Sequence, residues 1–286
     1  MLSKEIDSDC WSGPNLIMAF QPIIDFSTRE VFGYEALVRG AGGEGAGEVL
    51  SHVTPANRVA FEMACHMAAI ETARRLHINP NHYLSINFLP SALSSVDNTV
   101  GHTLSAAAIA NIGAQQLIVE VTEAEPVEDP IKISRLFADY RRRGLKTAID
   151  DFGVGYAGLG LLADFQPDFI KIAMPLVRDV DESPARAAIT RAILQAARDL
   201  SIDVIAEGVE SQREVGALRA LGVNLFQGFL FARPSADVLI PRADIRFSEP
   251  PPTALPLARS VALVRSGAGA KTGSFANKQT ASPLRQ

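Results

Sequence analysis

Two adjacent carboxylates, Asp150 and Asp151, end the apolar run Thr147-Ala148-Ile149 and precede a turn containing Gly153 and Gly155. Neighbouring strand residues point to opposite faces, and a wholly buried carboxylate pair is costly to keep ionised. A strand end resolves both difficulties, because a turn there can bring both side chains toward one cation. Taken alone, the stretch reads equally well as a solvated turn. Further acids recur at the same place on other strand-like runs: Glu35, Glu120, Glu123 just past a strand end, and Glu207, together with Asn87, Lys171 and Gln227. Four or more carboxylates in one place repel strongly unless cations share them. Oxygen donors without Cys or His suit a hard ion such as Mg²⁺, Mn²⁺ or Ca²⁺. A cluster of this size suits two ions, an arrangement used to split phosphodiesters. Lys171, inside the apolar run FIKI, is either a counter-ion for these acids or the holder of a nucleophilic water.

The elements that must position these residues follow from periodicity. Residues 16–24 and 31–38 read as strands joined by six residues, too few for a helical crossover, so they form an antiparallel hairpin. The Gly-rich stretch 40–47 reads as a flexible loop, and residues 57–76 as a helix with Asn57 as its cap. Strands at 83–88, 116–122, 146–151, 169–172, 203–207 and 225–229 then alternate with helices at 101–112, 130–143, 184–200 and 211–221. The link between Asp151 and Phe169 has room for a short helix. Eight strands in about 240 residues predict an α/β fold, a modified (β/α)8 barrel of the TIM type with one antiparallel strand. An open doubly wound sheet is the alternative. In the barrel, the acids would collect at the carboxyl ends of the strands, where such barrels build their sites.

Composition sets the bounds. The 286 residues are 47% hydrophobic, enough for a large core, and the net charge of −5 argues against a nucleic-acid surface, so no DNA partner is expected. No apolar run approaches the length of a membrane span, and the N-terminus MLSKEIDSDCWSG carries acids and no apolar stretch of the secretory kind. Cys10 and Cys65 make neither a CxxC motif nor a disulfide framework, and Cys65, in FEMACHMAAI, reads as core. A reducing cytoplasm is the expected compartment. The expected division is a loose segment at 1–15, one barrel domain at 16–248, and a disordered basic tail at 249–286. GAGAKTGS in that tail lacks the glycine that a phosphate loop needs before Lys271.

Seven motifs in order carry a resemblance: YEALVRG from Tyr34, SINFLP from Ser85, EVTE from Glu120, DDFGVGYAGL from Asp150, DFIKI from Asp168, AEGVE from Ala206 and QGFLFARP from Gln227. Together they resemble the EAL-domain family of cyclic-di-GMP phosphodiesterases, over residues 16–241. The resemblance implies hydrolysis of cyclic-di-GMP to linear pGpG, two Mg²⁺ or Mn²⁺ ions, and a homodimer open to a regulatory protein partner. It implies Glu35, Asn87, Glu120, Asp150, Asp151 and Glu207 as metal ligands, with Lys171 contacting the nucleophilic water. It further implies that Glu123 braces the loop after Asp151, and that Gln21, Arg39, Gln227 and Pro234 line the substrate groove, Arg39 reaching a phosphate through its two-pronged fork. Read without the family, Arg39 is a surface residue at a strand end and Gln227 a core amide satisfied by backbone. Glu210 reads as a capping or salt-bridge residue.

The plainest departure from the family pattern is at one position, with the short Gly-rich segment between Arg39 and Asn57 and Val154 as lesser ones. Ala173 stands two residues after Lys171, where the family has Asp, on the same strand face as the lysine. Its loss removes none of the inferred ligands but can weaken the lysine's orientation. An active phosphodiesterase is therefore the favoured reading. A cyclic-di-GMP receptor with little turnover is the alternative, and a protein-interaction module the third.

Overall fold

The computed structural model describes residues 11–89, 96–122, 130–155 and 158–248. Its strands are β1 (Leu16–Asp25), β2 (Glu30–Gly40), β3 (Tyr83–Phe88), β4 (Leu117–Thr122), β5 (Lys146–Phe152), β6 (Phe169–Ile172), β7 (Asp203–Ala206), β8 (Leu225–Phe226) and β9 (Ser235–Ala236). The first eight close into a barrel: β2 through β8 are neighbours in parallel, and β1 seals the gap, antiparallel to both β2 and β8. The six-residue link therefore does make a hairpin, and β1 is the reversed strand. The short β9 pairs with the outer part of β1 at Ala19 and Phe20.

The helices are α1 (Ala46–Leu50), α2 (Arg58–Arg75), α3 (Val96–Ile109), α4 (Pro130–Arg142), α5 (Gly158–Asp164), α6 (Met174–Val177), α7 (Pro184–Asp199) and α8 (Gln212–Ala220). Two expectations need correction. The Gly-rich stretch is not simply a flexible loop, because α1 begins inside it and is pinned by the fully buried Val49. Asn57 stands at the cap position of α2 but does not cap it with its side chain. Its Oδ1 instead accepts from the Thr54 amide at 2.7 Å and its Nδ2 donates to the His52 carbonyl at 3.0 Å, closing the preceding turn.

Most of the apolar core lies between the barrel wall and the helices. A second, smaller cluster plugs the barrel interior: Ile23, Ile118, Ala148, Phe169 and Ile205, with Phe32, Tyr83 and Leu225 packed against it. This plug decides where the chemistry goes. Residues two apart on a strand share a face, so the residue two places nearer the mouth than Ile23, Tyr83, Ile118, Ala148, Phe169, Ile205 or Leu225 also points inward. Those positions are Glu120, Asp150, Lys171, Glu207, Gln227 and Ser85, plus Gln21 on the reversed strand. An apolar floor thus carries a polar layer directly above it, at the carboxyl ends of the parallel strands.

The segment after β8 returns along the barrel. Tyr34 Oη donates to the Ile240 carbonyl at 2.8 Å, and Phe247 packs against Phe26 and Phe231. Cys65 is half-buried against the core, with burial raising its thiol pKa to about 12. Among the described residues, no helix is long and apolar enough to cross a membrane. Cys10, Glu123 and the tail from 249 onward lie outside the described residues.

Candidate active site

Lys171 sits at the centre of the polar layer with none of its surface exposed. Its Nζ lies 3.1 Å from Glu35 Oε2, 2.7 Å from Glu120 Oε2, 2.9 Å from Asp150 Oδ1 and 2.7 Å from Glu207 Oε1. Four strands, β2, β4, β5 and the end of β7, each contribute one acid to this cage. Burial alone would pull the ammonium pKa down, but the four carboxylates outweigh it and hold it well above its usual value. The cage is the counter-ion arrangement that the apolar surroundings of FIKI demand.

One ammonium does not balance four carboxylates. Burial pushes Glu120 up to about 8, against the pull of Lys171 and with the added push of Glu35 and Asp150. Burial likewise drives Glu207 well above the ordinary carboxylate range, with Asp150 and Glu35 adding to it. Asp151 adds another acid to the same cavity, a space of about 260 Å³ lined also by Gln21, Glu35, Asp150, Glu207 and Gln227. The donor set is therefore all oxygen and carries surplus negative charge, which is what a hard divalent cation neutralises. Among the described residues, no three acidic, His or Cys side chains form a ready-made metal cluster, because the carboxylates converge on Lys171. The fit to a cation lies in the chemistry and charge of the donors.

How Asp150 and Asp151 reach one cavity is visible in the β5–β6 register. Ile149 pairs with Ile170, but Phe152 pairs with Ile172, so β5 carries one extra residue and two aspartates face the single Lys171. Asp151 adopts a left-handed backbone, φ 54°, which breaks the strict alternation of a strand. Gly153 follows at φ 101°, and a Cβ there would lie 2.5 Å from Leu176 Cδ1. The sequence rule that neighbours point apart is thus broken locally by a bulge.

Around the acids, amides fix the geometry. Gln227 Nε2 donates to Glu35 Oε2 at 2.6 Å and to Gln21 Oε1 at 3.0 Å, and Gln21 Nε2 donates to the Ala232 carbonyl at 3.1 Å. Gln227 is buried, but its side chain is held by side chains rather than by backbone. Gly228 after it packs against the Val209 backbone at a distance no Cβ would allow. Asn87 Nδ2 donates to Glu35 Oε1 at 2.9 Å, which leaves Oδ1 as the atom it can offer to a cation. The Asn87 backbone carbonyl accepts from His66 Nε2 at 3.1 Å. Burial lowers the His66 pKa to about 4, so the imidazole is neutral at ordinary pH.

Several predicted residues lie apart from this layer. Arg39 Nη1 donates to the Val38 carbonyl at 2.7 Å, folded back on its own strand, and Pro234 is half-buried beyond β8. Glu210 accepts from Arg178 at 2.7 Å, the salt-bridge role expected for it, at the rim of the cavity. Ala173 is fully buried and begins α6 one residue past β6. Sequence reading missed Ser85, which donates to Glu120 Oε1, although it stands two residues before Asn87 on the same strand face. It also missed Met174 and Phe229 at the rim, where Arg233 lies 4.2 Å over the Phe229 ring. A second, mostly apolar cavity of about 360 Å³ adjoins the mouth, sharing Leu37 with it and bounded by Phe61, Phe88 and Asn87.

Residues 3–234 match the EAL domain family, most of the chain and all seven motifs. The chain belongs to the EAL domain family. Two relatives come from Escherichia coli strain K12. The blue light- and temperature-regulated antirepressor BluF is 34% identical over 80% of this chain and 57% of its own length. The cyclic di-GMP phosphodiesterase PdeR is 40% identical over 43% of this chain and 19% of its own. This chain therefore spans little more than half of one EAL relative and a fifth of the other. Among solved structures, a standalone versatile EAL protein from Vibrio cholerae O395, bound to c-di-GMP, is 43% identical with a TM-score of 0.77, over 81% of this chain and 96% of that one. BlrP1 of Klebsiella pneumoniae, in a manganese and cyclic-di-GMP complex, is 36% identical with a TM-score of 0.74, over 79% of this chain and 58% of that one.

Proposed function

We propose that this EAL domain is a metal-dependent phosphodiesterase that hydrolyses cyclic-di-GMP to linear pGpG in the bacterial cytoplasm. The observation that carries the proposal is the cage of four carboxylates from four strands around Lys171, with Asp151 and Asn87 beside it. Support also comes from the c-di-GMP bound to the Vibrio cholerae EAL protein and from the activity in PdeR's name.

In this reading Glu35, Asn87, Glu120, Asp150, Asp151 and Glu207 would hold two divalent cations, Mg²⁺ or Mn²⁺, as manganese accompanies cyclic-di-GMP in BlrP1. The cations would supply Lewis acidity at the scissile phosphate and acidify a water. The chain's own groups set the rest. Lys171 keeps its proton at Nζ and donates to the attacking water, while Gln227 and Gln21 hold Glu35 in place. Water adds to phosphorus in line, one P–O bond breaks, and the proton the water gives up, relayed by a carboxylate of the cage, ends on the leaving ribose oxygen. Arg39 would turn from the Val38 carbonyl to a phosphate oxygen, and Pro234 would border the groove. A cyclic dinucleotide exceeds the 260 Å³ mouth, so its bases would extend past Leu37 and Phe229. Glu123 would brace the loop after Asp151, and the exposed Val154 and Leu159 close to that loop would meet a second copy in a homodimer. Regulation by a protein partner would act through the same loop.

BluF's description as an antirepressor, together with Ala173 in place of Asp, supports a second reading, a cyclic-di-GMP receptor that signals to a partner with little turnover. Chromatography of cyclic-di-GMP incubated with purified protein and Mn²⁺ separates the two. pGpG appearing over many turnovers supports the enzyme, whereas tight binding by calorimetry with no product supports the receptor.

A further inference from the structure

Asn87 lies near the end of β3, still paired there with Glu120 of β4. On the β2 side the ladder ends at the pair Ala36 and Ile86, one residue before it. Its backbone carbonyl is also gripped from outside the barrel. His66, buried on α2, points Nε2 at the Asn87 carbonyl at 3.1 Å and Nδ1 at Thr103 Oγ1 of α3 at 2.8 Å. A carbonyl only accepts, so Nε2 carries the proton and Nδ1 accepts from the hydroxyl. The Asn87 carbonyl therefore fixes the tautomer, and Thr103 holds the tilt of the ring.

We infer that His66 is a positioning residue for Asn87, holding that amide in the orientation a divalent cation requires. The inference rests on the reading of Asn87 as a metal ligand. Groups that orient a ligand without touching the metal commonly change metal affinity about 10- to 100-fold when removed. A core histidine kept only for its shape would do nothing of the kind.

The test compares Mn²⁺ binding to the EDTA-stripped full chain by calorimetry in His66→Leu, which keeps bulk but loses the donor, and His66→Gln, which keeps an N–H in reach of the Asn87 carbonyl. His66→Leu is expected to weaken Mn²⁺ about 10-fold or more, and His66→Gln to stay within about threefold of wild type. In turnover, the Leu variant should lose kcat at low Mn²⁺, recover it at high Mn²⁺, and keep KM for cyclic-di-GMP. A folded Leu variant with wild-type Mn²⁺ affinity, or an equal loss in both variants, overturns the inference. Should the Leu variant fail to fold, Thr103→Val carries the test, since it keeps the imidazole but frees the ring, and unchanged affinity there also overturns it. Mn²⁺ binding by wild type without any pGpG removes the proposed reaction but leaves this inference standing.

Discussion

At the scale of single residues, the site is an electrostatic problem with one cation too few. Removing Lys171 leaves two buried carboxylates, Glu35 and Glu120, and two half-buried ones, Asp150 and Glu207, facing one another, and breaking a buried ion pair on one side costs about 3–5 kcal/mol. Lys171→Met should therefore be markedly destabilised in EDTA and recover part of that loss with Mn²⁺, read from urea midpoints. Equal destabilisation with and without Mn²⁺ would show that the acids do not share a metal. Glu120 and Glu207 are raised in the folded chain, so the folded state binds more protons than the unfolded one and stability falls as pH rises toward 8. His66, lowered to about 4, acts in the opposite direction, but only below its ordinary value of 6.5. Between pH 6.5 and 8 the acids prevail, and the EDTA-treated protein should lose up to about 2 kcal/mol through Glu120, at about 1.4 kcal/mol per pH unit. Thermal melts across that window check the sign. A melting temperature that rises from pH 6.5 to 8 without metal would contradict the charge balance described.

At the scale of elements, the β5 bulge turns two sequence neighbours into two groups of one cavity. Gly153, two residues after the bulge's second aspartate, needs its left-handed backbone, and Leu176 stands where a Cβ would go. Gly153→Ala should cost about 1–2 kcal/mol and lower turnover by shifting Asp151, measurable as a lower denaturation midpoint alongside a lower kcat. An unchanged midpoint would mean that the turn adapts freely. Much of this level was legible beforehand. The hairpin followed from a link too short for a crossover, and the recurrence of Glu120, Asp150, Lys171 and Glu207 at the same place on successive strand-like runs pointed to one mouth. The bulge was not legible, because an extra residue shows only against a partner strand. Nor was α1, whose glycines conceal a helix held by one buried valine, nor His66, whose role depends on a contact across 21 positions to Asn87. Ser85 could have been found by the same alternation that placed Asn87.

At the scale of the whole molecule, a closed barrel leaves no sheet edge among its first eight strands and gathers its polar layer at one end. The opposite end of the interior is apolar, so the cage has a single open side and substrate has one approach. Val154 and Leu159, 50% and 61% exposed, stand beside the segment that follows Asp151. With the proposed homodimer built on this face, Leu159→Glu should favour the monomer in light scattering and lower activity while leaving the melting temperature within a few degrees. A dimer unaffected by that charge would place the interface elsewhere. The central claim is that the acid cage exists to hold cations for cleaving a phosphodiester. Its most direct test is chromatographic quantification of pGpG from cyclic-di-GMP for wild type with Mn²⁺, wild type with EDTA, and Asp150→Asn with Mn²⁺. Product is expected in the first alone, with the folded Asp150→Asn variant reduced at least about 1000-fold. Equal product from all three would contradict that claim.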